Sequence, residues 1–369
     1  MKVLYFTRND SVHDRRFLAT MASSGMQVFL LRLQGESGIL QGLPQGVKEV
    51  RWHDSPERAQ KGVFSKVKDL QRIIEEIQPE LIHAGPLTDC GLLAAGSGFQ
   101  PLVSMSWGSD ILATENWDFR KKKILHRTLK QSTVLIGDCD AVKNKAITMG
   151  FVPDRIVTFP WGVDLHQFSP GKSDSFRKKL GIDRKFVILS LRSWEPIYGV
   201  DLAVKAFIIA AKKNSNLFLL LGGIGTLEQK IRAMVERSGV KGQIQFLGQI
   251  PQRELPEIYR ASNLYLSASH SDGSSVSLLE SIACGKPVLV SDIPGNREWV
   301  SEGQNGWLFR DGNVKEIADL LARISGEKVL LKKIGSNNHR LAAEKADWTK
   351  NSMGLLRAYK MALKLKGPA

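Results

Sequence analysis

Apolar runs of strand length alternate with stretches of helical period along the whole chain. Strands are predicted at 2–6, 28–31, 80–84, 102–105, 134–136 and 156–159, short apolar runs of strand length. Between them, 57–77 is predicted as a helix, because Val63, Phe64, Val67, Leu70, Ile73, Ile74 and Ile77 recur with a period near 3.6. The pattern then repeats. Strands are predicted at 187–191, 217–221, 244–247, 264–266 and 288–290, and helices at 200–213, 226–238, 253–261 and 275–284. Strand–helix alternation of this kind builds parallel sheets covered by helices on both faces. With 369 residues, too many for one core, the expectation is α/β with two Rossmann-like, doubly wound domains facing a central cleft. The boundaries are set at 1–168 and 169–347, with a final segment 348–369 read as a helix. Residues 169–185, rich in Gly, Ser, Pro and charge, are the expected linker.

Composition narrows the class. A chain with 43% hydrophobic and 24% charged residues is ordinary globular material. No apolar run approaches the roughly 18–20 residues needed to span a bilayer. The opening Met-Lys-Val-Leu-Tyr-Phe-Thr-Arg has too short an apolar core for a signal peptide, so a cytoplasmic protein is expected. Cys90, Cys139 and Cys284 are odd in number and far apart, and make neither a disulfide framework nor a zinc site.

Charge asks for an acidic partner. The formal net charge is +15, with 21 Lys and Arg against 18 Asp and Glu up to residue 165 and 31 against 19 beyond it. Nucleic acid, anionic lipid headgroups and phosphorylated small molecules all fit that sign. No nucleic-acid recognition motif accompanies it, so nucleic acid is not expected as a partner. The densest basic run is 120–130, with Arg120, Lys121, Lys122, Lys123, Arg127 and Lys130. Read as a helix, it sets Ile124, Leu125 and Thr128 on one side with Trp117 and most of the cations opposite. That face is either a solvated basic surface or a dock for an anionic membrane.

The segment His-Ser-Asp-Gly-Ser-Ser-Val-Ser-Leu-Leu-Glu-Ser-Ile-Ala-Cys-Gly-Lys-Pro at 270–287 carries the candidate chemistry. Its Ser/Gly cluster suits a helix start and Gly285 a helix end. A helix N-terminus offers unpaired N–H groups and partial positive charge, which favour an anion or sugar hydroxyls. On the wheel, Glu280 borders the arc of Val276, Leu278, Leu279, Ile282 and Ala283. It is either a solvated glutamate on a helix edge or a half-buried carboxylate in need of donors such as vicinal hydroxyls.

In context the segment resembles the retaining glycosyltransferases of family 4, glycosyl transferases group 1, with the two-domain GT-B fold. The resemblance rests on Asp272-x7-Glu280, on 281–288 and Pro294-Gly295-Asn296-Arg297-Glu298, and on further motifs in order. These are Trp161-Gly162-Val163-Asp164, Gly222-Gly223-Ile224-Gly225, Phe246-Leu247-Gly248-Gln249-Ile250-Pro251 and Asn305-Gly306-Trp307-Leu308-Phe309. It implies a metal-independent hexosyl transfer from a nucleotide-sugar to a glycan, glycolipid or lipid-linked acceptor. It implies no cofactor, because the nucleotide-sugar is a substrate, and a terminal helix that returns to the first domain. Glu280 would hold ribose hydroxyls, and Asp272 the donor hexose. The backbone N–H groups of Gly273, Ser274, Ser275 and Val276 would bind sugar and diphosphate, with Gly223 beside them. Arg192 would bind diphosphate, a task that suits a guanidinium fork. Ile250 would meet the base. The catalytic set implied is Asp272, Arg192 and Glu280.

Several positions depart from the family pattern. Asp272 replaces the usual Glu, and Tyr198 stands where the family has a lysine before Gly199. The Gly-rich first loop is replaced by 7–16, and the usual His-Gly by Trp107-Gly108-Ser109-Asp110. Ser11, His13, His83, Trp107 and Asp110 are the acceptor-side candidates, His83 being equally readable as a structural histidine. Two other readings remain: a non-catalytic nucleotide-sugar-binding subunit and a nucleotide-sugar epimerase. Asp138-Cys139-Asp140 is read as loop or cap rather than metal site. Gly223-Ile224-Gly225 lacks the third glycine and the acid of a dinucleotide fingerprint.

Overall fold

The computed structural model describes residues 1–9, 11–34, 42–53, 62–114 and 117–365. Asp10 of the first loop, residues 57–61 of the predicted first long helix, and 366–369 lie outside the described residues. The chain divides into two compact units, one of Met1–Trp161 with Lys350–Ala369, the other Gly162–Thr349.

The first unit holds a parallel seven-stranded sheet. Its strands are β1 (Lys2–Thr7), β2 (Gln27–Arg32), β3 (Val47–Val50), β4 (Leu81–Ala84), β5 (Leu102–Met105), β6 (Val134–Gly137) and β7 (Ile156–Thr158). The order is β3-β2-β1-β4-β5-β6-β7, so the strand order reverses between β1 and β4. Strands β4, β5 and β6 are buried at every residue, as strands covered on both faces must be. β3 is the strand absent from the hydrophobic pattern: Val-Lys-Glu-Val at a sheet edge keeps its middle pair exposed. The helix Val63–Ile77 buries Leu70, Ile73 and Ile77 against β4 and the helix Cys90–Ser97. The terminal helix Met353–Leu365 packs on β4 to β7, where Gly354 lies so close to Phe159 that an added Cβ would stand 2.3 Å from its ring.

The second unit holds a parallel six-stranded sheet. Its strands are β8 (Phe186–Leu191), β9 (Leu217–Gly222), β10 (Ile244–Gly248), β11 (Leu264–Ser267), β12 (Val288–Ser291) and β13 (Gly306–Phe309). The order is β10-β9-β8-β11-β12-β13, with the reversal between β8 and β11. One face is covered by Val200–Ala211 and Val314–Ile324 around Phe207, Leu219 and Leu321. The other is covered by Leu255–Ala261 and Val276–Ala283 around Tyr259, Leu279 and Val290.

The division between the units falls at Trp161/Gly162, ahead of the boundary at 169 expected from composition. The reason is local packing. Val163 bridges Asp347, and Phe168 is buried against Tyr259, 6.0 Å between ring centroids. Residues 169–185 likewise belong to the second unit: Asp174–Lys179 is helical, and Arg177 donates to the carbonyls of Ala261, Ile182 and Lys185.

Candidate functional site

In the second unit the strand order reverses between β8 and β11, the place where open α/β sheets bind ligands beyond their carboxyl ends. Arg192 follows β8, Gly223 follows β9, and Asp272 lies in the turn after β11. Gly223 has φ +113°, and a Cβ there would stand 2.2 Å from the Arg192 carbonyl oxygen, so only glycine lets the two loops close up.

Arg192 is the centre of the arrangement. Its Nη2 lies 2.7 Å from Asp272 Oδ2. Its Nη1 donates to Ser275 Oγ at 2.7 Å and Ser277 Oγ at 3.2 Å. The Tyr198 ring covers one face, with Cζ 4.1 Å from the ring centroid. The Arg192 and Asp272 side chains are only 12% and 14% exposed. Burial is the largest single influence on Arg192 and works against its charge, but Asp272 together with Tyr198, Tyr265 and Tyr259 outweighs it, so the guanidinium is held more firmly protonated than usual. Burial pushes the Asp272 carboxyl up, and Arg192 pulls it back only in part. The buried Arg192 Nε–H has no acceptor among the described residues.

Ser275 is the N-cap position of Val276–Ala283, and its side chain makes no cap bond within the helix, being turned to Arg192 instead. Ser274 accepts from Trp299 Nε1 at 3.1 Å, and Gly273, Ser274 and Ser275 are buried. The first-turn N–H groups of such a helix have no intrahelical acceptor. Glu280 is 6% exposed, which removes the solvated reading. Tyr259 Oη lies 2.9 Å from its Oε2, and Gln252 Nε2 donates to Oε1 at 3.1 Å. Ile250 is half-buried against the end of β9, where a Cβ on Gly222 would stand 2.8 Å from its Cδ1. The unit therefore brings Arg192, Gly223, Asp272, Gly273, Ser274, Ser275 and Val276 together around its switch point, with Glu280 one helical turn further on. Sequence reasoning missed Tyr259, Gln252, Ser277 and Trp299. Tyr259 and Trp299 look like core aromatics, and only the position of their polar atoms shows otherwise.

The acceptor-side candidates all fall in the first unit, at the carboxyl ends of β1, β4 and β5. Ser11 caps the helix Val12–Ser23 in a capping box with Asp14, which also accepts from Tyr5 Oη at 2.7 Å. His13, in the first turn, accepts from Arg16 Nη2 through Nδ1 at 2.9 Å, which places its own proton on Nε2. His13 and Trp107 stand 6.2 Å apart by ring centroids, and so do Trp107 and Trp161. Trp107 Nε1 is buried with no partner among the described residues. Asp110 is structural in its contacts, accepting from Leu87 N, Ser106 Oγ and Trp107 N at 2.7–2.9 Å, and burial raises its pKa to about 6. His83 is 1% exposed between the Tyr5, Phe17 and Tyr359 rings. His83 Nδ1 lies 2.6 Å from Tyr359 Oη, which in turn lies 3.0 Å from Met21 Sδ. Burial lowers the pKa of His83 to about 3. Among the described residues, no three His, Cys, Asp or Glu side chains are grouped to hold a metal ion. No helix among them is long and apolar enough to cross a membrane.

Comparison with known proteins agrees with this architecture. Residues 172–341 match the family model described as Glycosyl transferases group 1, and residues 2–139 match Glycosyl transferase 4-like. Among relatives, the D-inositol 3-phosphate glycosyltransferase of Rhodococcus opacus is 30% identical over 58% of this chain and 49% of its own length. The enzyme of the same name from Frankia alni is 28% identical over 64% and 62%. The chain spans about half the length of most of the curated relatives it matches. Among solved structures, Anabaena HepE in complex with UDP-glucose superposes with a TM-score of 0.81 at 19% identity, over 98% of this chain and 99% of that one. Sucrose-phosphate synthase from Thermosynechococcus elongatus gives 0.80 at 17%, over 98% of each. These likenesses establish two parallel-sheet α/β domains of the GT-B type. With ordered motifs and two family matches covering the two sheets in turn, the chain belongs to the glycosyl transferases group 1 family.

Proposed function

We propose that this chain is a retaining glycosyltransferase that moves a hexosyl unit from a nucleotide-sugar to a glycan, glycolipid or lipid-linked acceptor, without a metal. The observation that carries the reading is Arg192, a buried guanidinium whose Nε–H has no acceptor, set beside a helix N-terminus at the switch point. As the glycosidic bond breaks, negative charge gathers on the departing diphosphate. Donors fixed in advance, in a site of low dielectric, lower that barrier. Arg192 and the N–H groups at 273–276 take this role, Asp272 binds a hexose hydroxyl, and Glu280 the ribose. Uridine is the first base to test, because a structural neighbour was solved with UDP-glucose. The acceptor is read to the His13–Trp107–Trp161 face, where indole rings offer apolar area to a sugar. Phosphorylated polyols join the acceptors to test, given the inositol phosphate named for the relatives.

Peripheral membrane docking belongs to the same reading. In the helix Phe119–Gln131, Leu125, Thr128 and Leu129 are buried, while Arg120, Lys121, Lys122, Lys123, Arg127 and Lys130 are exposed and Phe119 is 78% exposed. Arg120, Lys121 and Lys122 in the first turn, followed by Lys123, sit at the positive end of the helix dipole, which costs stability. An anionic surface offsets that cost.

The test is turnover of UDP-glucose and a panel of other nucleotide-sugars, without and with acceptor. Slow hydrolysis of one donor, faster release of its nucleoside diphosphate with acceptor, and undiminished rate in a chelator are expected. The anomeric configuration of the product, read by NMR, should match that of the donor. Binding without turnover would move the protein to a non-catalytic role, and return of an isomeric nucleotide-sugar to an epimerase.

A further inference from the structure

We infer that Tyr198 is a positioning residue for Arg192, its ring fixing the plane in which the guanidinium presents Nε–H to a diphosphate. The inference rests on the reading of Arg192 as a diphosphate ligand. The ion pair with Asp272 and the hydrogen bonds to Ser275 and Ser277 set where the guanidinium Nη atoms lie. Contacts at the edge of a planar group restrain its tilt less than a group lying on its face. The Tyr198 ring, 4.1 Å from Cζ, supplies that restraint. The ring is itself held. Tyr198 ends the 3-10 turn Pro196–Tyr198, and its N–H donates to Glu195 O at 2.9 Å. Gly199 follows at φ +56°, where a Cβ would stand 2.1 Å from the carbonyl oxygen of Ala268, so the turn is seated on the end of β11. Tyr198 also packs on the hydrophobic core beneath, a cluster that includes the fully buried Trp194. With Arg192 largely out of water, its attraction to the ring face is little screened. This chain thus holds one cation rigidly, instead of placing a second, mobile cation at position 198.

The experiment is calorimetric titration of the full chain with UDP and with uridine, for the wild type, Tyr198→Leu, Tyr198→Phe and Arg192→Gln. GDP with guanosine, or ADP with adenosine, replaces them if the wild type prefers another base. Tyr198→Leu should weaken UDP about five- to twentyfold and leave uridine unchanged. Tyr198→Phe, which keeps the ring, should stay within about twofold of the wild type. The inference is overturned if Tyr198→Leu keeps its UDP affinity, if Phe loses as much as Leu, or if uridine weakens in step with UDP. Arg192→Gln separates the two levels. If it leaves the UDP-to-uridine ratio intact, the diphosphate reading of Arg192 falls. If it lowers that ratio and Tyr198→Leu does not, only the role of Tyr198 falls.

Discussion

Glu280 shows what a sequence reveals of one residue and what it withholds. Its place at the border of an apolar arc was legible, because helical period fixes direction. Its donors were not, because Tyr259 and Gln252 reach it from another helix and a loop. A glutamine at 280 keeps the size but offers one acceptor oxygen in place of two, and turns its amide towards that of Gln252. Glu280→Gln should weaken UDP binding about tenfold by calorimetry while the protein still melts within a few degrees of the wild type; unchanged affinity would remove the ribose role. Asp272→Asn removes the charge facing Arg192, and with it a hydrogen-bond acceptor for the transferred sugar. Turnover should fall by about tenfold or more while UDP affinity changes less, and a wild-type rate would sink the assignment. His83 gives the pH dependence. Its folded pKa of about 3 lies below the ordinary value of 6.5, so its contribution to stability is complete above 6.5 and is lost as pH falls towards 3. His83→Asn keeps a hydrogen-bonding group near Nδ1 and does not titrate. Between about pH 7 and pH 5 the wild type should lose about 2 kcal/mol relative to this variant, read from paired denaturant unfolding curves. Asp110 shifts stability in the opposite sense, but it is common to both proteins and drops out of the difference. A gap that does not change with pH would contradict a buried neutral imidazole.

At the scale of elements, strands buried on both faces were the most legible, since continuous apolar runs have no other use in a soluble sheet. β3 was not, because an edge strand needs only its end residues apolar. The linker expected at 169–185 was misplaced for a related reason. Composition reads Gly, Ser, Pro and charge as loop, whereas Arg177, a charged residue by composition, ties the segment to Ala261 and Lys185 through backbone carbonyls. The helix Phe119–Gln131 carries the clearest expectation at this scale. Neutralising Lys121, Lys122 and Lys123 to Gln takes three cations from the positive end of a dipole whose N-cap, Asp118, accepts from Lys121 N–H. The variant should therefore melt no lower than the wild type and sediment far less with vesicles containing anionic lipid. At about 1 kcal/mol per lysine, the loss of vesicle affinity is about a hundredfold. Unchanged sedimentation would leave the basic face a solvated one.

For the whole molecule, the structure redistributes the charge that sequence order suggested. Counted along the chain, the excess of cations lay beyond residue 165. Counted by compact unit, Met1–Trp161 with Lys350–Ala369 holds 26 Lys and Arg against 17 Asp and Glu, and Gly162–Thr349 holds 26 against 20. The reversal arises chiefly because Lys350, Arg357, Lys360 and Lys364 follow the second unit in sequence but belong to the first in space. No periodicity in the sequence reports that return. The larger excess therefore belongs to the unit that carries the basic helix and the acceptor candidates, not to the unit read as binding the donor. Two salt dependences should separate accordingly. If Arg192 holds the diphosphate as proposed, salt should act on UDP binding weakly, because its side chain is only 12% exposed and already faces Asp272. The proposed docking on anionic vesicles would instead depend on exposed cations spread over a surface, which salt screens strongly. Raising salt from about 50 to about 300 mM should weaken UDP binding by about threefold or less, and abolish most vesicle sedimentation. If the two fell together, exposed charge rather than the buried guanidinium would be holding the diphosphate, and Arg192 would lose its assigned role.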